Sequence, residues 1–177
     1  MKDDIYGIMA EFDTPTELVD AATKARLAGY TKTDAFSPFP LHEIDEALGI
    51  KRSILPMLVF CGGVTGLLSG IALQVFVHYI DYPLNIGGRP YLSWVSFVPP
   101  AYELTILLAG FTAVFGMLFL NGLPRPYHPV FNVPRFALAT REKFFLVIEA
   151  ADPKYSYDDV RSFMETLKPQ EVFDVPE

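Results

Sequence analysis

From Ile54 to Ile80 the chain runs for 27 residues without an Asp, Glu, Lys or Arg. As a helix such a run is about 40 Å long, more than the roughly 30 Å of hydrocarbon in a bilayer. A fold of 177 residues has few ways to hide a rod of that length in its interior. A second run, Val98 to Leu123, carries one acid, Glu103, and begins with Pro99-Pro100, whose missing N–H groups are tolerated in a first helical turn. The pattern predicts two membrane spans, about 54–80 and 98–123, joined by an outer loop, 81–97. The first run starts some fifty residues into the chain and lacks the short apolar core and small-residue cleavage site of a signal peptide, so it reads as a retained anchor.

Charge is segregated around these runs. Residues 1–50 hold 4 Lys/Arg against 10 Asp/Glu, residues 51–143 hold 7 against 3, and residues 144–177 hold 3 against 8. Two acidic segments thus flank an apolar centre whose few charges are mainly basic. The formal charge of -7 argues against phosphate-backbone recognition, so no nucleic-acid partner is expected. Lys51 and Arg52 precede the first span, and Arg125, Arg135, Arg141 and Lys143 follow the second, whereas the loop between them has only Arg89. The positive-inside rule places both termini in the cytoplasm. Tyr79, Tyr82, Tyr91, Trp94 and Tyr102 near the outer ends, and Tyr127 near an inner end, are headgroup-depth anchors in this reading.

Within the first span Gly62, Gly66 and Gly70 recur every four residues, and Gln74 and His78 continue the spacing. Such a stripe lets another helix approach closely, and Gln74 can hydrogen-bond across the contact. The approaching helix belongs to a partner chain or to the chain's own second span, to which Gly110, Ala113 and Gly116 supply small residues, and both contacts can hold on different faces. Glu103 also has two readings. In the first turn after Pro99-Pro100 its carboxylate would accept free backbone N–H groups and favour the positive helix end. Alternatively, a carboxyl held in hydrocarbon favours its neutral form and can handle a proton.

Metal and redox chemistry find little footing. The one cysteine, Cys61, cannot make an intrachain disulfide, a zinc cluster or a Cys-ligated iron–sulfur centre. His78 falls near the outer surface, whereas His42 and His128 lie beyond the inner one, where the two could meet, so a bis-histidine haem in the membrane is not expected on this chain. No Gly-rich phosphate loop and no Ser/His/Asp or Cys/His constellation is present, and Gly87-Gly88 reads as a tight turn.

The segments outside the spans repeat one rhythm. Ile5–Phe12 reads as a strand, and Thr14-Pro15-Thr16-Glu17 starts a helix with Thr as cap, Pro at N1 and Glu at N3. Leu18, Ala22 and Ala25 share a face, Gly29 supplies a stop, and Tyr30–Phe36 returns as a second strand. After the spans, Phe144–Ala150 is a strand and Ser156 caps a helix with Val160, Phe163, Met164 and Leu167 on one face. Pro169 ends that helix, and Glu171–Val175 is a short last strand. Two β-α-β halves, 1–50 and 126–177, joined across the hairpin 51–125, make β-α-β-β-α-β, the ferredoxin-like plait. The expected fold class is therefore an α+β membrane protein, a two-helix transmembrane hairpin inserted into a split ferredoxin-like cytoplasmic domain. Two loosely tethered tails are the competing arrangement. His42–Leu48 has a short amphipathic helical pattern, Pro124, Pro126, Pro129 and Pro134 stiffen the exit from the second span, and Phe136–Lys143 is open between short helix and turn.

Several segments together resemble one family. They are Phe36-Ser37-Pro38-Phe39-Pro40-Leu41-His42 with Asp45-Glu46-Ala47-Leu48-Gly49, then Asp81-Tyr82-Pro83-Leu84-Asn85-Ile86-Gly87-Gly88-Arg89-Pro90. Tyr102-Glu103-Leu104-Thr105 and Asn121-Gly122-Leu123-Pro124 with His128-Pro129 complete the set. The chain resembles the ActD-type component of bacterial alternative complex III, a quinol:electron acceptor oxidoreductase. The resemblance implies a cofactor-free accessory subunit in the bacterial inner membrane, without catalytic residues of its own. It implies polytopic quinol-binding membrane subunits as partners, with haem c and iron–sulfur clusters carried by other chains. The rival from another class is a membrane-tethered ferredoxin-like binding or sensor module. An independent channel fits less well, because two spans with one acid form no pore without oligomerising.

Overall fold

A computed structural model describes residues 5–177, so the first four residues of the predicted segment 1–50 lie outside the described residues. In chain order the elements are β1 (Ile5–Phe12), α1 (Pro15–Leu27), β2 (Thr33–Phe36), α2 (Ile44–Leu48), α3 (Leu55–Val75), α4 (Trp94–Leu120), β3 (Phe144–Glu149), α5 (Tyr157–Thr166) and β4 (Glu171–Pro176). A π-helical turn, Phe76–Asp81, continues α3, and two 3₁₀ turns, Pro129–Asn132 and Pro134–Thr140, precede β3. The chain forms two compact units. The segments up to Lys51 and from Pro126 make one, and Arg52–Arg125 makes the other.

The first unit is built on a four-stranded sheet in the order β2-β3-β1-β4, antiparallel at every step. β1 and β3 lie side by side from Gly7 opposite Glu149 to Phe12 opposite Phe144. The contact expected between Ile5–Phe12 and the first strand after the hairpin is therefore present, and two independent tails are excluded. Gly7 is required by this ladder, since a Cβ there would run into the Ile148 carbonyl.

Alternation along β1 sends Ile8, Ala10 and Phe12 to one face and Met9 and Glu11 to the other. The first face packs on α1 and α5 through Leu18, Ala21, Ala22, Ala25, Val160 and Met164. The capping box that starts α1 is complete. Thr14 Oγ1 accepts from the Glu17 N–H at 3.2 Å, and Glu17 Oε2 accepts from the Thr14 N–H at 3.2 Å. Gly29, with φ +92°, ends the helix as the Tyr30 N–H reaches the Ala25 carbonyl at 3.1 Å. Ser156 occupies the cap position of α5, but its side chain caps nothing.

Residues 129–140 cover the second face as a strap. Val130, Val133, Phe136 and Ala139 press onto Met9, Phe145, Val147 and Val175. This resolves the ambiguity at Phe136–Lys143, where Pro134–Thr140 winds as 3₁₀ helix. With both faces occupied, β1 and β3 are buried from Gly7 to Phe12 and from Phe144 to Ile148.

Asp152 pins the turn after β3 to the start of β2. Its Oδ2 accepts from the N–H groups of Thr31 at 2.6 Å and Lys32 at 2.7 Å and from the Thr31 hydroxyl at 3.1 Å. Its Oδ1 accepts from the Lys154 N–H at 2.8 Å. Burial pushes this carboxyl up, but the backbone N–H groups of Lys32, Thr31 and Lys154, with the Thr31 hydroxyl, outweigh it and hold the group below the ordinary aspartate value. A depressed folded value gives stability that is complete above the unfolded aspartate value of about 3.9 and is lost as pH falls through the lower folded value. Asp152→Ala is expected to destabilise the sheet unit by about 2–4 kcal/mol by leaving those donors unmet. Hydrogen exchange at the Thr31 and Lys32 amides reads this directly, and Asp152→Asn should flatten the acid limb of the stability profile.

Candidate functional site

The second unit is the antiparallel pair α3 and α4, both long and apolar enough to cross a membrane. In their most apolar stretches 17% of α3 and none of α4 is buried, which is unlike the core helix of a soluble protein. Large side chains such as Phe60, Leu68, Phe111, Phe115 and Phe119 stand outward.

The helices meet through the glycine stripe. A Cβ on Gly62 would overlap the Thr112 side chain, and one on Gly66 would overlap the Leu104 carbonyl. A Cβ on Gly70 would lie 2.8 Å from the Ala101 Cα. The backbones are thus as close as absent side chains permit, and of the two candidate neighbours for the stripe the structure places the chain's own α4 there. Gln74, 8% exposed, completes the contact by donating through Nε2 to the Phe97 carbonyl at 2.9 Å and to the Gly70 carbonyl at 3.3 Å. Gly116 meets Leu55, whereas Gly110, read from the sequence as a contributor to this contact, faces open space.

At the loop end of the hairpin His78 Nδ1 lies 3.0 Å from the Gln74 carbonyl, and its ring lies 5.5 Å from that of Phe97. There the predicted span departs from α-helix into the π turn Phe76–Asp81, where a side chain reaches the carbonyl ladder. Trp94 packs edge-on against Phe97 at 5.8 Å.

Glu103 does not occupy the first helical turn that the proline pair suggests. α4 begins at Trp94, so Pro99 and Pro100 lie inside the helix and Glu103 is its tenth residue, beyond any first-turn capping role. Prolines stand inside apolar helices where neighbouring groups compensate the lost backbone bonds. Glu103 is exposed on the side of α4 away from α3. Among the described residues no hydrogen bond or ion pair engages it.

The first unit holds a charge cluster that the sequence did not disclose. Glu11, fully buried, receives Arg135 Nε at 2.7 Å and Nη2 at 2.6 Å in a two-point clamp. Lys143 Nζ stands 3.7 Å from Glu11 and bonds Asp13, which also accepts from Gln170 at 2.5 Å. The Glu11 hydrogen bond and charge raise the Arg135 guanidinium further above its ordinary value, and the Asp13 hydrogen bond raises Lys143. A signal existed, since Glu11 alternates onto an inward position beside Met9, where a carboxylate requires a cation. His128 packs edge-on to Tyr6 at 5.2 Å and has no contact with His42 among the described residues. Among the described residues no group of three or more His, Cys, Asp or Glu is placed to hold a metal.

The geometry defines a class first: a small mixed α/β unit interrupted in sequence by an apolar helical hairpin that closes on itself and leaves its outer surface to its surroundings. The chain belongs to the ActD family, whose model, "Alternative complex III, ActD subunit", matches residues 6–174. It is a subunit of alternative complex III, and the other subunits of that complex are its partners. The family and the two apolar helices together point to a membrane location. Comparison with curated proteins gives no match.

Gly66→Ala is expected to weaken the α3–α4 contact by about 1–3 kcal/mol, because the obstacle is backbone that must move. Gln74→Leu should cost less, about 0.6–1.7 kcal/mol. Detergent-titration unfolding followed by the fluorescence of Trp94, the single tryptophan, ranks the two.

Proposed function

We propose that this chain is a cofactor-free, non-catalytic accessory subunit that braces the polytopic quinol-binding membrane subunits of alternative complex III. The observation that carries this reading is the hairpin itself. Its close-packing face is consumed internally, and a broad surface of large apolar side chains remains for lipid and neighbouring helices. Haem c and iron–sulfur clusters reside in the partner chains, consistent with a single cysteine and three dispersed histidines here. The segments 1–50 and 126–177 act as one cytoplasmic domain at the bacterial inner membrane, with the hairpin 51–125 inserted between its halves. Lys51, Arg52, Arg125 and Arg141 on that side, against Arg89 in the loop, support the orientation.

The sheet is read as the split ferredoxin-like plait. The order β2-β3-β1-β4, with β1-α1-β2 before the hairpin and β3-α5-β4 after it, supports that assignment. The exposed position of Glu103 on an otherwise apolar face favours a second role, a share in a proton path at the surface of the hairpin.

Mild-detergent purification through a tag on this chain tests the main reading. Multihaem and iron–sulfur subunits should co-purify in stoichiometric amount, with haem absorbance in the same peak. A stable isolated monomer or homo-oligomer would instead favour a tethered binding module. For the second role, the Glu103→Gln complex that does assemble should oxidise quinol normally per assembled complex while moving fewer protons per electron in reconstituted vesicles.

A further inference from the structure

We infer that the face of α4 carrying Glu103, Leu107, Gly110 and Val114 is the docking surface for a transmembrane helix of another subunit, one that presents a basic side chain to Glu103. The inference rests on the accessory-subunit reading and identifies which surface of this chain the neighbour covers. These four residues fall at i, i+4, i+7 and i+11, one stripe of a helix. Successive residues turn about 100°, so Glu103 lies roughly 200° around the axis from Ala101, which packs on Gly70. The stripe therefore points away from α3, and Leu107 and Val114 on it are 48% and 52% exposed.

Depth makes the acid informative. Leu107 is the middle residue of α4, and Glu103 is four residues, about 6 Å, from that middle. From the start of the helix at Trp94 it lies about 14 Å along the axis, so its neighbour Tyr102, read from the sequence as a headgroup-depth anchor, stands deeper than that reading has it. Both distances put it within the hydrocarbon, where an ionisable group turns inward to a partner or a cavity. No cation of the hairpin reaches it among the described residues; Arg89, in the loop, donates to Ser96 at 2.7 Å. The complement is a Lys or Arg brought by another chain.

Gly110 is the second, independent observation. A Cβ there meets nothing within 4 Å, so the residue serves no contact inside the hairpin. Two turns from Glu103 on the same stripe, it leaves a notch where a neighbouring backbone can come close. Charge and shape thus mark the same stripe.

The test uses the assembled complex. A photo-crosslinking residue at Leu107 should join this chain to another membrane subunit about tenfold more than one at Val98, which lies on a flank of the hairpin. Gly110→Leu, which meets open space and leaves the hairpin intact, should lower recovery of the chain with the complex by about tenfold or more. Glu103→Gln should do the same by stranding the partner's cation. Lipid adducts alone at Leu107, or wild-type recovery of both Gly110→Leu and Glu103→Gln, would overturn the docking surface while the accessory role stands. Failure of the unaltered chain to co-purify with the complex would overturn both. Normal assembly of Glu103→Gln with a lowered proton yield would discard the basic partner and leave the proton path.

Discussion

The sheet unit depends on β1 and β3 finding each other across about 130 residues of chain. Every strand pairing in the sheet joins one half to the other, so neither half pairs its own strands. β2 and β4 are edge strands that reach the rest of the sheet only through β3 and β1. Closing so long a loop is entropically costly, but the cost grows only slowly with length, so what matters is whether the ends are brought together at all. The hairpin does that. Antiparallel helices return the chain to the level where it left, which an odd number of spans cannot do.

Three glycines achieve the close approach of α3 to α4 because the driving force available to apolar helices is packing rather than exclusion of water. With side chains removed at Gly62, Gly66 and Gly70, α4 settles backbone against backbone, and Gln74 finds the Phe97 carbonyl three residues before Pro100. The hairpin thus closes with its own material. What it presents outward is mostly large and apolar, and on α4 Glu103 and Gly110 depart from that rule on the stripe furthest from α3.

Much of this is legible in the sequence, for local reasons. The capping box at Thr14 and Glu17, the stop at Gly29, the apolar alternation of the strands and the four-residue glycine spacing each express a geometry within one element. What escapes is non-local. The strap at residues 129–140 reads as a proline-rich exit, because nothing in its own pattern says that Val130, Val133 and Phe136 face a sheet. The prolines mislead about the start of α4 because they favour a first turn by propensity, while Trp94–Val98 extends the helix through tertiary packing of Phe97 against His78 and Gln74. The direction of the glycine stripe stays open in the sequence because spacing fixes which residues share a face and not who occupies it. Arg135 and Lys143 read as topology signals, yet Glu11 and Asp13 absorb much of their charge, so Lys51, Arg52, Arg125 and Arg141 carry that argument.

Three carboxylates show how this chain handles a charge away from bulk water. Glu11 is buried in the sheet face and held by a two-point guanidinium clamp, the geometry in which a buried ion pair best recovers its desolvation cost. Among the described residues Asp152 has no cation in its hydrogen-bond shell and is satisfied by backbone N–H groups and a hydroxyl, which also lock two loops together. Glu103 has neither arrangement among the described residues, and it stands four residues from the middle of the apolar helix α4. The first two solutions are complete within the chain and contribute to its stability. The third has the same physical requirement with its other half missing, and in a subunit of a larger complex that half belongs to the neighbour.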